Sequence, residues 1–446
     1  MTTIFSTITS NLSAAVCAIR ISGPQTIFCL QSLGIKAAPE HQKISFYKIR
    51  DPKNFEIIDE VLVSFFKGPQ SFTGEDVAEI SIHASPFITK KIFQILGEIS
   101  GVRLAEAGEF SKRAFLNNKI DLVQAEAIPD LIASETEAQH KQALRQLQGE
   151  LGKIYEDWRF RLIQTSAHLE AYIDFPDDDL PQNIIDKVEL DVKNLSAEIQ
   201  NHLSDQKIGQ KIKDGFSLAI IGAPNVGKSS LINFLAKSEV AIVSEIAGTT
   251  RDIVEVHLSI AGMAVKIADT AGLRLAEDEI EKEGIKRALK KAEDADLKIF
   301  VLAAENPILR DEDKNLIDKN TIILLNKIDL ADEQKIPKWV LDLNPITISL
   351  ANKINTSQLF KKLEEKILEI LPSQNYLQNS SLITQERYRI ALKSAAEFLD
   401  EFSLTKNIEL AAEDLRLAAR EIGKITGKVD IENILDVIFS SFCIGK

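Results

Sequence analysis

The sequence predicts a multidomain protein of mixed α+β and α/β class, with an N-terminal α+β domain, a helical domain, and an α/β domain inserted into the helical one. Three observations carry this. Phe216–Lys361 alternates apolar strand-length runs with amphipathic stretches, the pattern of a doubly wound, largely parallel sheet. Helical sequence flanks that unit on both sides, in residues 120–173 and 382–441. Residues 1–117 mix short apolar runs with turns.

The elements follow in order. Ala14–Ile21, Val61–Phe66 and Val77–Ile82 read as strands, and Pro86–Ser100 and Phe110–Asn117 as helices, giving an N-terminal domain over residues 1–117. From 120 to 173 the composition shifts to Ala, Leu, Gln and Glu. Leu144, Leu147, Leu151, Ile154, Trp158 and Leu162 keep helical spacing, which predicts long helices. The acidic turn Asp174–Pro181 ends them, and Ile185–Ile208 resumes a helical pattern. Leu382–Phe402, Ile408–Ile422 and Ile431–Phe442 close the chain as helices. The helical domain is therefore expected in two parts, 118–212 and 374–446, around an insertion at 213–373. A row of separate domains is the alternative.

Composition narrows the class. The chain has 446 residues, 45% apolar and 27% charged, which suits a soluble globular protein. Its longest apolar runs are strand-length, far short of the roughly 20 residues of a membrane helix, so no membrane partner is expected. Met1–Ser10 lacks the basic and apolar pattern of a secretory leader. Cys17, Cys29 and Cys443 form no metal or redox spacing, as expected in a reducing cytoplasm. A net charge of −13 excludes coating nucleic acid by bulk electrostatics, so RNA contact needs a local patch or a partner.

Gly222-Ala-Pro-Asn-Val-Gly227-Lys228-Ser229 matches the phosphate-loop pattern, between the strand Phe216–Ile221 and a helix opening at Ser230. Backbone N–H groups of Asn225, Val226, Gly227 and Ser230 suit phosphate oxygens at a helix N-terminus. Lys228 would reach the β- and γ-phosphates and the Ser229 hydroxyl would ligate Mg²⁺. Asp269-Thr270-Ala271-Gly272 follows another strand, with Asp269 meeting Mg²⁺ through water and Gly272 N–H sensing the γ-phosphate. Asn326-Lys327-Ile328-Asp329 follows the strand Thr321–Leu325. The Asp329 carboxylate can accept from guanine N1–H and N2–H₂, a donor pair adenine lacks. Ser349-Leu350-Ala351 is a weaker candidate for the base pocket. The whole predicts a Ras-like P-loop domain that takes GTP.

Between these motifs, Thr249 and Thr250 follow Gly248 in a segment suited to a switch. One of the two hydroxyls, assigned to Thr250, would complete the Mg²⁺ shell. Leu273 stands where Ras-like enzymes carry a water-orienting glutamine, so that work moves elsewhere. Arg251 and Arg274 are positional candidates for an arginine finger, or solvated surface arginines.

Asn225, the Ala247-Gly-Thr-Thr-Arg-Asp252 switch, Asp269-Thr-Ala-Gly-Leu-Arg274 and the terminal Cys443-Ile-Gly-Lys446 together resemble the bacterial tRNA-modification GTPases of the MnmE (TrmE) family, within the TrmE-Era-EngA-like GTPases. The resemblance runs from Arg20-Ile-Ser-Gly-Pro24 through Ala105-Glu-Ala-Gly-Glu-Phe110 to the last residue. Its nucleotide motifs are widespread, whereas the terminal Cys-x-Gly-Lys joined to an inserted GTPase domain is specific. The resemblance implies that Asn225, Ser244, Ile246 and Thr249 ligate K⁺ in place of an arginine finger when two GTPase domains meet. It implies that the Ser244–Thr250 switch, including Glu245, Ala247 and Gly248, lines the nucleotide, and that Glu281 is the catalytic acid–base group. The acidic run Glu277–Glu283 would also suit a helix start without any catalytic role.

For the N-terminal domain the resemblance implies a tetrahydrofolate-binding and dimerisation fold. Arg20, Glu79, Lys119 and Lys446 would hold 5-formyl- or methylene-tetrahydrofolate. The segment Ser10–Ala15 and the turn His83-Ala-Ser85 depart from the family's glycine-rich pattern at the edge of that pocket. Cys443 reads as a functional thiol or as packing for the last helix. The implied partners are a second copy of the chain, the flavin-dependent MnmG in a heterotetramer, and tRNA. Its wobble uridine would receive an aminomethyl or carboxymethylaminomethyl group. An Era- or Der-type ribosome-assembly GTPase is the alternative, and it predicts a KH-like domain or a second phosphate loop, neither of which the sequence carries.

Overall fold

A computed structural model describes residues 2–9, 14–174, 184–205, 207–242, 256–268, 290, 292–371, 381–404, 407–429, 435, 438–440, 442 and 445. The chain divides into two compact units. The first comprises residues 1–129, 146–196 and 391–446, the second 130–145 and 197–390.

In the first unit six described strands make one sheet: β1 (Thr3–Thr7), β2 (Val16–Ser22), β3 (Ile44–Arg50), β4 (Ile57–Phe66), β5 (Val77–His83) and β6 (Val102–Leu104), in the order β3-β4-β5-β2-β1-β6. All pairings are antiparallel except β1 with β6. Along β4 buried residues Asp59, Val61, Val63 and Phe65 recur every second position, so one face meets the core and the other does not. Helices α1 (Thr26–Ser32) and α2 (Pro86–Gly97) add Cys29, Leu30, Ile92 and Leu96 to that core. The sequence reading missed β1, β3 and β6, which are short or only weakly alternating.

Helices α3 (Glu109–Leu116), α4 (Leu122–Ile132), α5 (Glu137–Leu147) and α6 (Glu150–Asp174) follow. The apolar pattern from Leu144 to Leu162 spans two helices. Gly149 at φ +81 breaks them, a left-handed conformation that glycine takes without steric cost. Helix α7 (Ile184–Leu203) ends well before Ile208, and α8 (Ile208–Asp214) is separate.

In the second unit the strands are β7 (Phe216–Ile221), β8 (Ala241–Ile242), β9 (Val256–Ile260), β10 (Met263–Ala268), β11 (Leu297–Ala303), β12 (Thr321–Asn326) and β13 (Ile346–Thr347). Their order is β13-β12-β11-β7-β10-β9-β8. β13, β12, β11, β7 and β10 run parallel, and β9 and β8 continue antiparallel. Every residue of β11 is buried, as in a sheet covered on both faces. Among the described residues, helices α9 (Lys228–Ala236), α10 (Asp311–Lys314), α11 (Lys338–Asp342) and α12 (Thr356–Ile370) belong to this doubly wound part. On α12, Leu359, Leu363 and Ile367 repeat every four residues and pack into its core. Towards the C-terminus lie α13 (Glu386–Glu401) and α14 (Ile408–Thr426). Asn407 caps α14, its side-chain oxygen accepting from Glu409 and Leu410 N–H.

Candidate functional site

The phosphate loop sits between β7 and α9, at the carboxyl edge of the parallel strands, where open α/β sheets bind ligands. β7 is buried along nearly all its length, so its last residue, Ile221, delivers Gly222 to that edge without slack. Gly227 is the residue before α9 and has φ +104; a Cβ there would stand 2.3 Å from Asn326 Nδ2. Only glycine meets both demands, positive φ and close approach. Asn225 is exposed and also left-handed, at φ +62, while Val226 is buried in the core beneath. Ser229 and Ser230 lie exposed in the first turn of α9, whose N–H groups give that end its positive potential.

Lys228 Nζ donates to the carbonyls of Gly222 and Ala223, at 2.8 and 2.7 Å, and so folds back over the loop. Desolvation holds its ammonium below the usual range. The Arg310 charge adds to that effect and the Asp313 carboxylate opposes it. Arg310 is itself fixed, its Nε and Nη2 donating to Asp313 at 2.9 and 3.0 Å.

Asn326 ends β12 and is buried. Its Nδ2 donates to Val226 O at 2.9 Å, and its Oδ1 accepts from Leu350 N at 3.4 Å. One side chain thus joins the phosphate loop, the Asn-Lys-x-Asp loop and the Ser349-Leu350-Ala351 loop. That makes the last segment, weak by sequence, a neighbour of the site. Ser349 holds its turn by pairing with Ile354 and accepting from Asn352 N on its Oγ. Lys327 takes φ +64, which turns the chain into the single-turn helix Ile328–Leu330 and leaves Asp329 exposed. Lys327 Nζ reaches Glu305 at 2.7 Å, a partner the sequence did not suggest.

The remaining nucleotide and cation candidates are Ser244, Glu245, Ile246, Ala247, Gly248, Thr249, Thr250, Asp269, Thr270, Ala271, Gly272 and Glu281. They lie outside the described residues, as do Arg251, Leu273, Arg274, Cys443 and Lys446.

In the first unit Arg20 and Glu79 face each other in register across β2 and β5. Arg20 Nε and Nη2 both reach Glu79 Oε1, at 2.9 and 2.8 Å. The Arg20 guanidinium lies 5.2 Å from the Phe72 ring centroid and 5.5 Å from that of Phe110, within cation–π range of both. Phe72 was not singled out by sequence, because a lone phenylalanine in a loop carries no signal, and Phe110 was named there only as the end of the Ala105–Phe110 motif and the start of a helix, without a site role. Lys119 Nζ donates to Pro69 O at 2.9 Å, on the loop that carries Phe72. The same loop is anchored at Glu75, which takes Arg113 Nη1 at 2.9 and 3.1 Å and Ser22 Oγ at 2.7 Å. Cys17 and Cys29 are buried free thiols, and burial pushes the Cys29 thiol up to about 12, so it stays protonated. Among the described residues no cluster of His, Cys, Asp and Glu could hold a metal, and no helix is long and apolar enough to cross a membrane.

A doubly wound sheet with a phosphate loop after its central strand, cross-braced by the asparagine of an Asn-Lys-x-Asp loop, defines a P-loop GTPase. Family models extend this over the chain: the GTP-binding protein TrmE N-terminus matches residues 3–119, and the MnmE helical domain matches 122–443. The tRNA modification GTPase MnmE of Rickettsia akari (strain Hartford) is 45% identical over 449 aligned residues, covering 100% of both chains. The proteins of the same name from Rickettsia bellii (strain RML369-C) and Rickettsia rickettsii (strain Sheila Smith) match at 45% with the same coverage. A solved structure, the G domain of the T. maritima FeoB iron transporter, is 26% identical over 34% of this chain and 98% of that one. Its TM-score of 0.25 is too low to bear on the arrangement. With this identity along its whole length, the chain belongs to the tRNA modification GTPase MnmE family.

Proposed function

We propose that this protein hydrolyses GTP to drive modification of the wobble uridine of tRNA. The supporting observation is the Asn326 brace, which holds the phosphate loop and the guanine-reading loop at one edge of the sheet. GTP would bind there, in an inserted domain at 213–373, between helical segments 118–212 and 374–446. Asp329 reads guanine. Lys228 exchanges its two loop carbonyls for phosphate oxygens, a low-cost change because the ammonium is already desolvated. Backbone N–H groups of the loop and of the switch segment Ser244–Thr250 hold the remaining oxygens, with Asp269–Gly272 sensing the γ-phosphate.

Mg²⁺ fits the oxygen donor offered by Ser229 at the start of α9, with Thr250 as the second protein ligand. K⁺ fits the exposed amide at the left-handed Asn225, with Ser244, Ile246 and Thr249. Both ions, when bound, neutralise charge at the β–γ bridge. Glu281 orients the attacking water, taking the place of the glutamine that Leu273 lacks. Water adds at the γ-phosphorus, the bridge to the β-phosphate breaks, and GDP and phosphate leave.

A tetrahydrofolate derivative, the 5-formyl or methylene form, fits Arg20, Glu79 and Lys119 in the domain spanning 1–117. A guanidinium and a carboxylate beside two aromatic rings suit a flat, amide-like heterocycle with an anionic tail. When bound it supplies the one-carbon unit, and Lys446 is its further contact. Cys443 is a candidate thiol for the same reaction. The protein acts in the cytoplasm as a homodimer, with the flavin-dependent MnmG in a heterotetramer.

The test is GTP turnover in KCl against NaCl at equal ionic strength with Mg²⁺ present. Stimulation by potassium alone is expected. Equal rates would remove the cation assignment of Asn225 and its companions and return Arg251 and Arg274 as finger candidates. Glu281→Ala should abolish turnover while GTP still binds; full turnover would exclude Glu281 from the chemistry.

A further inference from the structure

Glu305 lies outside every motif that the sequence supplies, yet the fold brings it to the guanine-reading loop. β11 and β12 run parallel, with Ala303 opposite Asn326. One residue further, Ala304 N–H donates to Asn326 O at 2.8 Å, which carries the ladder to the carboxyl edge of the sheet. The chain then turns, Asn306 N–H donating to Ala303 O at 3.2 Å, and Glu305 stands in that turn. Its Oε1 accepts from Lys327 Nζ at 2.7 Å, across a separation of 22 positions that no local pattern records.

Lys327 sits between the two residues of its loop that have assigned work, Asn326 and Asp329. Its φ of +64 is left-handed, a conformation that is unfavourable for residues with a side chain and persists where neighbours impose it. The loop is tied at three successive residues. Asn326 bonds Val226 O and Leu350 N, Lys327 bonds Glu305, and Ile328 N–H donates to Ile348 O at 3.2 Å. Asp329 is the exception. It is exposed, and among the described residues its carboxylate meets no donor and no cation.

The charges explain this arrangement. Lys327 carries an ammonium on a flexible four-carbon stem, two positions from Asp329, and opposite charges at that range attract. An ammonium on Asp329 would occupy the acceptor oxygens that guanine N1–H and N2–H₂ require. Glu305 offers the ammonium a competing carboxylate on a different loop. We propose that Glu305 is a positioning residue for guanine recognition: it holds Lys327 and so leaves Asp329 unpaired for the base. The inference rests on the reading of Asp329 as the guanine acceptor and names what keeps that acceptor available. The side chains of Lys327 and Glu305 are 31% and 44% exposed, so the effect belongs near the top of the range for solvated ion pairs and no higher.

The test uses the full-length protein and two nucleotides, GDP and IDP, whose base lacks the 2-amino group. Their Kd values come from competition against a fluorescent guanine nucleotide, and kcat is read at saturating GTP. Glu305→Gln keeps the shape and removes the charge. It should weaken GDP about three- to fivefold and leave kcat at the wild-type value. IDP should lose less, because it offers Asp329 one donor group in place of two, so the preference for GDP over IDP narrows by about twofold. On a Lys327→Gln background, adding Glu305→Gln should cost nothing further, since the group that Glu305 holds is gone. An unchanged GDP affinity in Glu305→Gln would overturn the proposal. So would losses that are equal for GDP and IDP with a lowered melting temperature, which describe a merely structural pair. Additive losses in the double variant would show that Glu305 does not act through Lys327 and would overturn it as well. Asp329→Asn separates this inference from the reading beneath it. If that variant binds GDP as the wild type does, the guanine reading fails and the role of Glu305 fails with it. If Asp329→Asn weakens GDP and Glu305→Gln does not, only the role of Glu305 is lost.

Discussion

The two sheets carry their candidate sites in different ways. In the seven-stranded sheet, the candidate nucleotide-binding groups come from where parallel strands end at one edge: Gly222–Ser229 after β7, Asn326–Asp329 at the end of β12 and Ser349–Ala351 after β13. In the six-stranded sheet, Arg20 and Glu79 meet in mid-strand, and their aromatic neighbours come from a loop and from α3. A parallel sheet gathers every carboxyl end on one side, so each piece of a site is a short contiguous motif. An antiparallel sheet makes its sites from cross-strand pairs, whose members stand far apart in the chain.

Substitutions sharpen that comparison if each region responds alone. The largest effect is expected from Lys228→Ala, which removes the charge nearest the transferred phosphate and should cut GTP turnover by about 10³-fold. Folate affinity, measured by titration calorimetry, should not change. A parallel loss of folate binding would mean that the two regions are not independent.

Asp329→Asn comes next. It removes the acceptor pair for guanine and should cost about 1–3 kcal/mol of GTP affinity, roughly 5- to 150-fold. Xanthosine triphosphate, which offers an acceptor where guanine donates, should be taken up in exchange. Retained GTP affinity in a competition assay would remove Asp329 from the base pocket.

In the first unit Arg20→Ala should weaken 5-formyltetrahydrofolate by about 10- to 100-fold, because a charge-assisted bond contributes about 1.5–3 kcal/mol. Turnover of GTP should stay at the wild-type rate. Unaltered folate binding would return Arg20 and Glu79 to a purely structural pair.

The last effect, on stability and not on binding, is a pH response in the second unit. Desolvation pushes His202 down to about 4 from 6.5, with Asp205 opposing and Arg389 adding. A base with a depressed folded value stays neutral in the fold while the unfolded chain takes up a proton. Stability is therefore lost as pH falls from 6.5 towards 4, by about 2 kcal/mol near pH 5. Urea unfolding of the wild type and of His202→Gln at pH 7 and pH 5 checks this. The variant should lose less between the two conditions, and equal losses would show that other groups dominate.

Much of the second unit was legible because its signals are local. Phe216–Ile221 is bounded in the structure as the apolar run suggested, and the glycines of the phosphate loop lie where a left-handed turn and a close approach demand them. Less of the first unit was legible. The short β1 and β6 carry little alternation of their own, and β1 becomes a strand because β2 and β6 flank it. Gly149 broke a helical pattern that periodicity carries straight through, since a backbone angle leaves no trace in apolar spacing.

By itself the sequence determined the class of ligand, because phosphate and guanine are recognised by contiguous loops whose residue types and spacing follow from the chemistry. It determined the alternation of strands and helices for a similar reason, since periodicity is a property of neighbours in the chain. Tertiary structure alone decided that Asn326 braces three loops and that Phe72 and Phe110 flank Arg20. Each of these depends on residues that packing brings together across tens to hundreds of positions, and no local pattern records such a meeting.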